Sequence, residues 1–145
     1  MRGTPESMST LAAPDVPSTL QSFLAFDFGL KRTGVAVGNR LMRSAQAQPT
    51  IKAEGDARFE HVKARIKEWQ PDALVVGVPF HPDGAPHENT ERAKKFARQL
   101  RGRFGLPVFE VDERYSTTEA LASGANDADA ASACIILEQF LRSFP

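Results

Sequence analysis

The sequence predicts one α/β domain built on a mixed sheet, and three observations carry that prediction. Two short apolar runs, Phe23–Phe28 and Gly34–Val37, flank the segment from Gly29 to Thr33 and read as a hairpin. The continuous run Ala73-Leu74-Val75-Val76-Gly77-Val78 has the length and β-branched content of a strand buried on both faces. Segments of helical period separate the later strands. An antiparallel hairpin followed by helix-linked parallel strands makes a mixed sheet with helices on its faces. At 145 residues the chain can bury one real core.

The elements follow in order. Residues 1–20 are rich in Ser, Thr, Pro and Ala without a signal peptide's apolar stretch, so a disordered leader is expected there and the domain over 21–145. Either Met1 or Met8 serves as the start. A third, weakly marked strand is expected within Ala45–Ala53. A helix is expected over Asp56–Gln70, with Phe59, Val62, Ile66 and Trp69 at helical spacing and Pro71 as the stop. Pro79 closes the central strand, and Pro82-Asp83-Gly84 signals a turn. A second helix is expected over Asn89–Phe104, with Ala93, Phe96, Ala97, Leu100 and Phe104 inward and Gly105 as its cap. Pro107–Val111 reads as a strand. Ser116 and Glu119 have capping-box spacing for a short helix ending near Gly124. Asn126 or Asp127 can cap a last helix through Leu141, with Ala130, Ala133, Leu137 and Phe140 or Leu141 inward.

Composition narrows the function classes. No run approaches the ~18 apolar residues of a membrane span. The single cysteine, Cys134, allows no intrachain disulfide and fits a cytoplasmic location. With 18 basic and 18 acidic residues the net charge is zero, which argues against a generic polyanion binder. One basic patch stands out: Arg92, Lys94, Lys95, Arg98, Arg101 and Arg103 occur with no acid among them. Lys94, Arg98 and Arg101 share a helical face. That face is either solvated or a track for a nucleic-acid backbone.

Acids mark the ends of elements. Asp27 stands among strand residues, where a carboxylate is costly unless a cation or hydrogen bonds stabilise it. It is either tied to backbone amides or a metal or phosphate-site residue. Asp112 and Glu113 follow a strand, and Asp127 and Asp129 open the last helix. Ligands of α/β sheets bind beyond the carboxyl ends of parallel strands, so these positions can converge. Carboxylates sharing a small volume repel, and Mg²⁺ or Mn²⁺, held by hard oxygen ligands, resolves the conflict. Two such ions flanking a phosphodiester can activate water and stabilise the leaving oxygen. The bland alternatives are helix-start acids for Asp127 and Asp129 and a surface pair of Glu113 with Arg114.

Four ordered motifs carry a resemblance. Asp27-Phe28-Gly29-Leu30-Lys31-Arg32-Thr33-Gly34-Val35-Ala36-Val37 resembles the opening motif of the YqgF family. These are small bacterial proteins of ribonuclease H-like fold, regarded as pre-16S rRNA nucleases and formerly as Holliday junction resolvases. Val75-Val76-Gly77-Val78-Pro79 with Asp83-Gly84 is similar to the family's central strand and loop. Asp112-Glu113-Arg114-Tyr115-Ser116-Thr117-Thr118-Glu119-Ala120 is similar to its Asp-Glu-Arg motif, and Asp129–Glu138 to its C-terminal helix. The resemblance spans about Phe23 to Leu141. It implies a ribonuclease H-like domain with catalytic, metal-holding acids at Asp27, Glu113 and Asp129, in preference to Asp112 and Asp127. Lys31, Arg32 and Arg114 would lie beside them as phosphate contacts or stabilising pairs. Two departures stand out. Only nine residues separate Glu119 from Asp129, and Ala128 replaces the family's basic residue before the last acid. Phe80-His81-Pro82 replaces the usual Asn-Met style residues, leaving His81 as a loop residue or a proton shuttle.

The leading expectation is a metal-dependent endonuclease that processes the 5′ end of pre-16S rRNA in ribosome biogenesis, as a monomer or homodimer. Cleavage of branched DNA uses the same chemistry. A non-catalytic RNA-binding module is a third reading. An actin-like phosphate loop is a fourth, but those proteins close two such domains over ATP, and this length suits one.

Overall fold

The computed structural model describes residues 16–81, 83–86, 88–113 and 128–144. Strands β1 (Ser22–Phe28), β2 (Thr33–Asn39) and β3 (Ala45–Ile51) are followed by helix α1 (Asp56–Trp69). Strand β4 (Ala73–Pro79), helix α2 (Thr90–Phe104), strand β5 (Val108–Glu113) and helix α3 (Ala128–Arg142) complete the described elements. Arg114, the expected capping box at Ser116 and Glu119, and the caps at Asn126 and Asp127 lie outside the described residues.

The five strands form one sheet in the order β3-β2-β1-β4-β5. β1 pairs antiparallel with β2 and parallel with β4, and β4 pairs parallel with β5. The hairpin-then-parallel order expected from sequence is therefore the observed one. Strands β1 and β4 are interior and covered on both faces, which is why β4 reads as an unbroken apolar run and β1 as one interrupted only by Asp27. β3 is an edge strand, where Pro49 is tolerated because its missing N–H interrupts no central ladder.

Strand alternation divides the core. Leu24, Phe26, Val35, Val37, Leu74 and Val76 face α1 and α2 and pack with Phe59, Val62, Phe96 and Leu100. Phe96 is the hub of this side, in ring contact with Phe26, Phe28 and Phe59. Phe23, Ala25, Ala36, Ala73 and Val75 face α3 and pack with Ala133, Ile136, Leu137, Phe140 and Leu141. The inward faces expected for α2 and α3 are those observed. On α1 the stripe is narrower than expected. Phe59 and Val62 are buried, but Trp69, in the last turn, is 39% exposed. Its turn unwinds at Gln70, which takes a left-handed conformation (φ 46°) ahead of Pro71. Gly105 caps α2 in the same conformation, donating its N–H to the Arg101 carbonyl at 3.0 Å.

Strand β5 runs two residues further than the expected end at Val111, so Asp112 and Glu113 belong to the sheet. The pairing Val78↔Asp112 and Pro79↔Glu113 extends it, and the Phe80 N–H donates to the Glu113 carbonyl at 2.8 Å.

Helix α3 meets the sheet most closely at Gly34. A Cβ there would run into the backbone carbonyl group of Asp129. Backbone cannot swing aside as a side-chain tip can. Gly34→Ala should cost about 1–3 kcal/mol, the usual range for overpacking, and should displace the first turn of α3. Urea unfolding followed by circular dichroism measures this, and an unchanged midpoint would show that α3 seats elsewhere.

Candidate active site

The acids are placed by strand parity. Phe23, Ala25 and Asp27 alternate onto the face covered by α3, and so do Phe109, Val111 and Glu113 on β5. Asp112 points to the other face and is exposed. Period 2 alone therefore separates Glu113 from its neighbour. Both acids sit at the carboxyl ends of parallel strands, Asp27 one residue from the end of β1 and Glu113 at the end of β5.

Two glycines flank Asp27 in the sheet. Its partner on β2 is Gly34 and its partner on β4 is Gly77. β4 lies between β1 and β5, so a side chain at position 77 would stand between Asp27 and Glu113. The Glu113 Oε2 atom comes 3.3 Å from where a Gly77 Cβ would be, and the Ile136 side chain occupies the rest of that space. Bare backbone at Gly77 leaves room for the Glu113 carboxyl and the Ile136 side chain beside Asp27's strand partner.

The surroundings of Asp27 and Glu113 shift both proton equilibria. Burial pushes the Asp27 carboxyl up to about 7, the Asp129 charge adds to the rise, and a hydrogen bond with the Ser132 side chain opposes it. Burial pushes Glu113 up to about 8, with the Asp27 charge adding. Desolvation and like charge act in the same direction on carboxyls, and the pair titrates as a unit.

Asp129 enters from the first turn of α3. It acts on Asp27 through its charge but is itself ion-paired, its Oδ2 3.1 Å from the Arg32 Nε. Among the described residues, no three His, Cys, Asp or Glu side chains stand close enough to hold an ion as they are. Gly29, Leu30, Lys31, Arg32 and Asp129 line a cavity of about 340 Å³. Arg114 lies outside the described residues, and His81 is exposed in the loop after β4.

The basic helix is separated from the acids by the sheet. α2 packs on the face opposite α3. Lys94 lies near the acid end, its ammonium 6.0 Å from the Phe80 ring centre. Arg98 is exposed. Arg101 is tied to β5, donating to the Val108 carbonyl at 2.8 Å and lying 3.8 Å from Glu110.

Sequence reasoning missed two residues here. Ser132 is buried and bonds Asp27, and its i, i+3 spacing from Asp129 could have flagged it. Arg58, on α1, donates to the carbonyls of Gly29 and Leu30. No local pattern pointed to it, because its partners are distant in sequence.

A mixed five-stranded sheet with acids at the carboxyl ends of β1 and β5 and a third on the closing helix defines a ribonuclease H-like α/β domain. Among solved structures the chain is similar to RuvC of T. thermophilus in complex with a Holliday junction substrate. The TM-score is 0.52 at 18% identity, covering 85% of this chain and 94% of that one, so the likeness speaks for the fold alone. The family model for RuvX, described as Holliday junction resolvase, matches residues 21–143, and the chain belongs to that family. A relative from Polaromonas sp. is 74% identical over 95% of this chain and 100% of its own length. One from Albidiferax ferrireducens is 77% identical over 88% of this chain and 82% of its own length. Both bear the name "Putative pre-16S rRNA nuclease".

The raised acids set a pH dependence. Asp27 and Glu113 bind protons more tightly folded than unfolded, so between the ordinary carboxylate range and about 8 the folded state holds the extra protons. The stability they contribute is present at low pH and is lost as pH rises through the folded values. Thermal melts in EDTA should therefore fall between about pH 5 and pH 8. The fall should shrink in a double variant, Asp27→Asn with Glu113→Gln. Superimposable pH profiles for the two proteins would remove the pair as the cause.

Proposed function

We propose that this chain is a metal-dependent endonuclease that processes structured RNA, the precursor of 16S ribosomal RNA. The observation that carries the reading is the Asp27–Glu113 pair, two buried carboxyls on one face of the sheet beside Gly77, close enough that the Asp27 charge raises Glu113. Such a pair lowers stability and has no role in closing the core, which is the pattern expected of a functional site. The names of the two relatives support the RNA substrate.

The donor set fits a hard divalent cation, since carboxylate oxygens suit Mg²⁺ or Mn²⁺ and burial beside like charge disfavours ionising these carboxyls without a cation. Asp27, Glu113 and Asp129 would hold it. Bound there, one or two such ions supply charge stabilisation at the phosphate and a more acidic water. The chain's own residues do the rest. Ser132 orients Asp27. Arg32 steadies Asp129 through their ion pair. Lys31, which lines the same cavity as Asp129, would meet a phosphate oxygen. Lys94 and Arg98 extend the contact along the nucleic-acid backbone, and Arg114, next to Glu113 in sequence, is a further phosphate contact expected from the family resemblance.

A branched-DNA substrate is the second reading, favoured by the description of the family. Cleavage of labelled 16S precursor RNA and of a four-way DNA junction, side by side with Mg²⁺, Mn²⁺ or EDTA, separates the two. The RNA should be cut in either metal and not in EDTA. Asp27→Asn should fold and bind RNA but lose about 10²–10³-fold in single-turnover rate, or about 2.7–4 kcal/mol. A folded Asp27→Asn protein cleaving at the wild-type rate would eliminate this chemistry.

The two ends of the basic helix should separate in a salt titration. Lys94→Ala with Arg98→Ala should weaken RNA binding across sequences and flatten the log-log salt slope by up to about 0.7–0.9 per lost phosphate contact. Its melting temperature should hold. Arg101→Ala should instead cost about 0.5–1.5 kcal/mol of stability, since it loses the bond to Val108. Unchanged salt slopes in the double variant would make α2 a solvated face.

A further inference from the structure

Arg58 is a charged residue in an apolar place. It lies on α1, only 5% exposed, on the face of the sheet opposite the acids. Its guanidinium stacks 4.4 Å from the Phe28 ring centre and lies 5.8 Å from that of Phe96. Its Nη2 donates to two consecutive carbonyls, Gly29 at 2.7 Å and Leu30 at 2.6 Å. Its buried Nε has no partner among the described residues. An aliphatic side chain would fill this slot without desolvating a cation or stranding a donor. What it could not do is grip the turn between β1 and β2.

That turn is the one that serves the site. Gly29 folds tightly enough that a Cβ there would lie 2.5 Å from the Arg32 carbonyl oxygen. Arg32 then reaches Asp129, and Gly29 through Arg32 line the cavity beside it. The linkage runs from α1 through two backbone carbonyls to Arg32 and on to the first turn of α3. The turn is closed from inside by Gly29 and held from behind by Arg58.

We propose that Arg58 is a positioning residue for the reaction, one that holds the Gly29–Arg32 turn so that Lys31 and Arg32 meet substrate and Asp129 in working geometry. The proposal rests on the nuclease reading above. It assigns Arg58 no contact with substrate.

The test compares Arg58→Met, which keeps a long apolar stem between Phe28 and Phe96, with Arg58→Lys and with Arg32→Ala, alone and combined. All are assayed below their melting transitions. Arg58→Met should lose about 10–100-fold in single-turnover cleavage, as expected for a residue that orients a site from behind. In the Arg32→Ala background the same change should cost about twofold or less, because the linkage is already broken. Arg58→Lys keeps the charge without the planar stack and should fall between. Independently of any nuclease assay, brief trypsin treatment of the folded protein should cut after Lys31 faster in Arg58→Met than in wild type.

A folded Arg58→Met protein that cleaves within about twofold of wild type and resists trypsin equally overturns the proposal and leaves the nuclease reading intact. An equal loss in both backgrounds also overturns it, since that marks a general loss of folded protein. Wild type that cuts neither RNA nor the junction overturns the nuclease reading and with it the role in the reaction, while trypsin still decides whether the turn is anchored. If Arg58→Met does not fold, Arg58→Lys carries the same comparisons.

Discussion

Asp27 is held where three demands meet. The strand that carries it must be central enough to be rigid, its neighbours must leave room for a carboxylate, and the covering helix must stop short of filling that room. The sheet meets the second demand with Gly34 on one side and Gly77 on the other. Helix α3 meets the third by bringing Asp129 and Ser132 to the place where a wholly apolar helix would bring more core. The charge repulsion that results is tolerated because Phe23, Ala25, Ala36 and Val75, on the same face, pack against Ile136, Leu137, Phe140 and Leu141. The apolar length of the interface offsets the strain at its acidic end.

The two faces of the sheet divide the labour. The face under α3 carries the acids. The other face carries the aromatic cluster around Phe96 and, at its edge, the cation that grips the first turn. Phe28 links them. It ends β1 one residue after Asp27, and its ring supports the Arg58 guanidinium. A shift of that ring acts on the turn and on the strand end together. Position in this site is thus set from both sides of the sheet, while charge is set from one.

Much of this was legible in the sequence, for reasons that differ by element. β4 announces itself because double-sided burial leaves no polar residue in the run, and β1 because Asp27 alone interrupts its apolar stretch. α3 and α2 are legible because one apolar stripe faces one sheet. Glu113 was named over Asp112 on the family resemblance, and parity separates the two only once β5 is seen to continue past Val111. β5 runs past that point because its last residues pair with Val78 and Pro79, and such a partner is invisible from local composition. Trp69 misled because spacing on α1 says which side faces the sheet, and not where the sheet ends. Arg58 could not have been found. A cation four residues after Glu54 reads as surface, and only the fold brings it to Gly29 and Leu30.

Among the described residues α3 is the one helix on its face of the sheet, and it delivers Asp129 in its first turn and the apolar cover in the next three. The chain is synthesised from the other end, so every described strand, with Asp27 and Glu113, is made before α3. A nascent or prematurely terminated chain that lacks α3 has two of the acids, no third, and a bare hydrophobic sheet. Such a chain exposes the apolar surface that chaperones and proteases recognise. Covering this face of the core and bringing Asp129 beside Asp27 are therefore a single event, set by the docking of one helix.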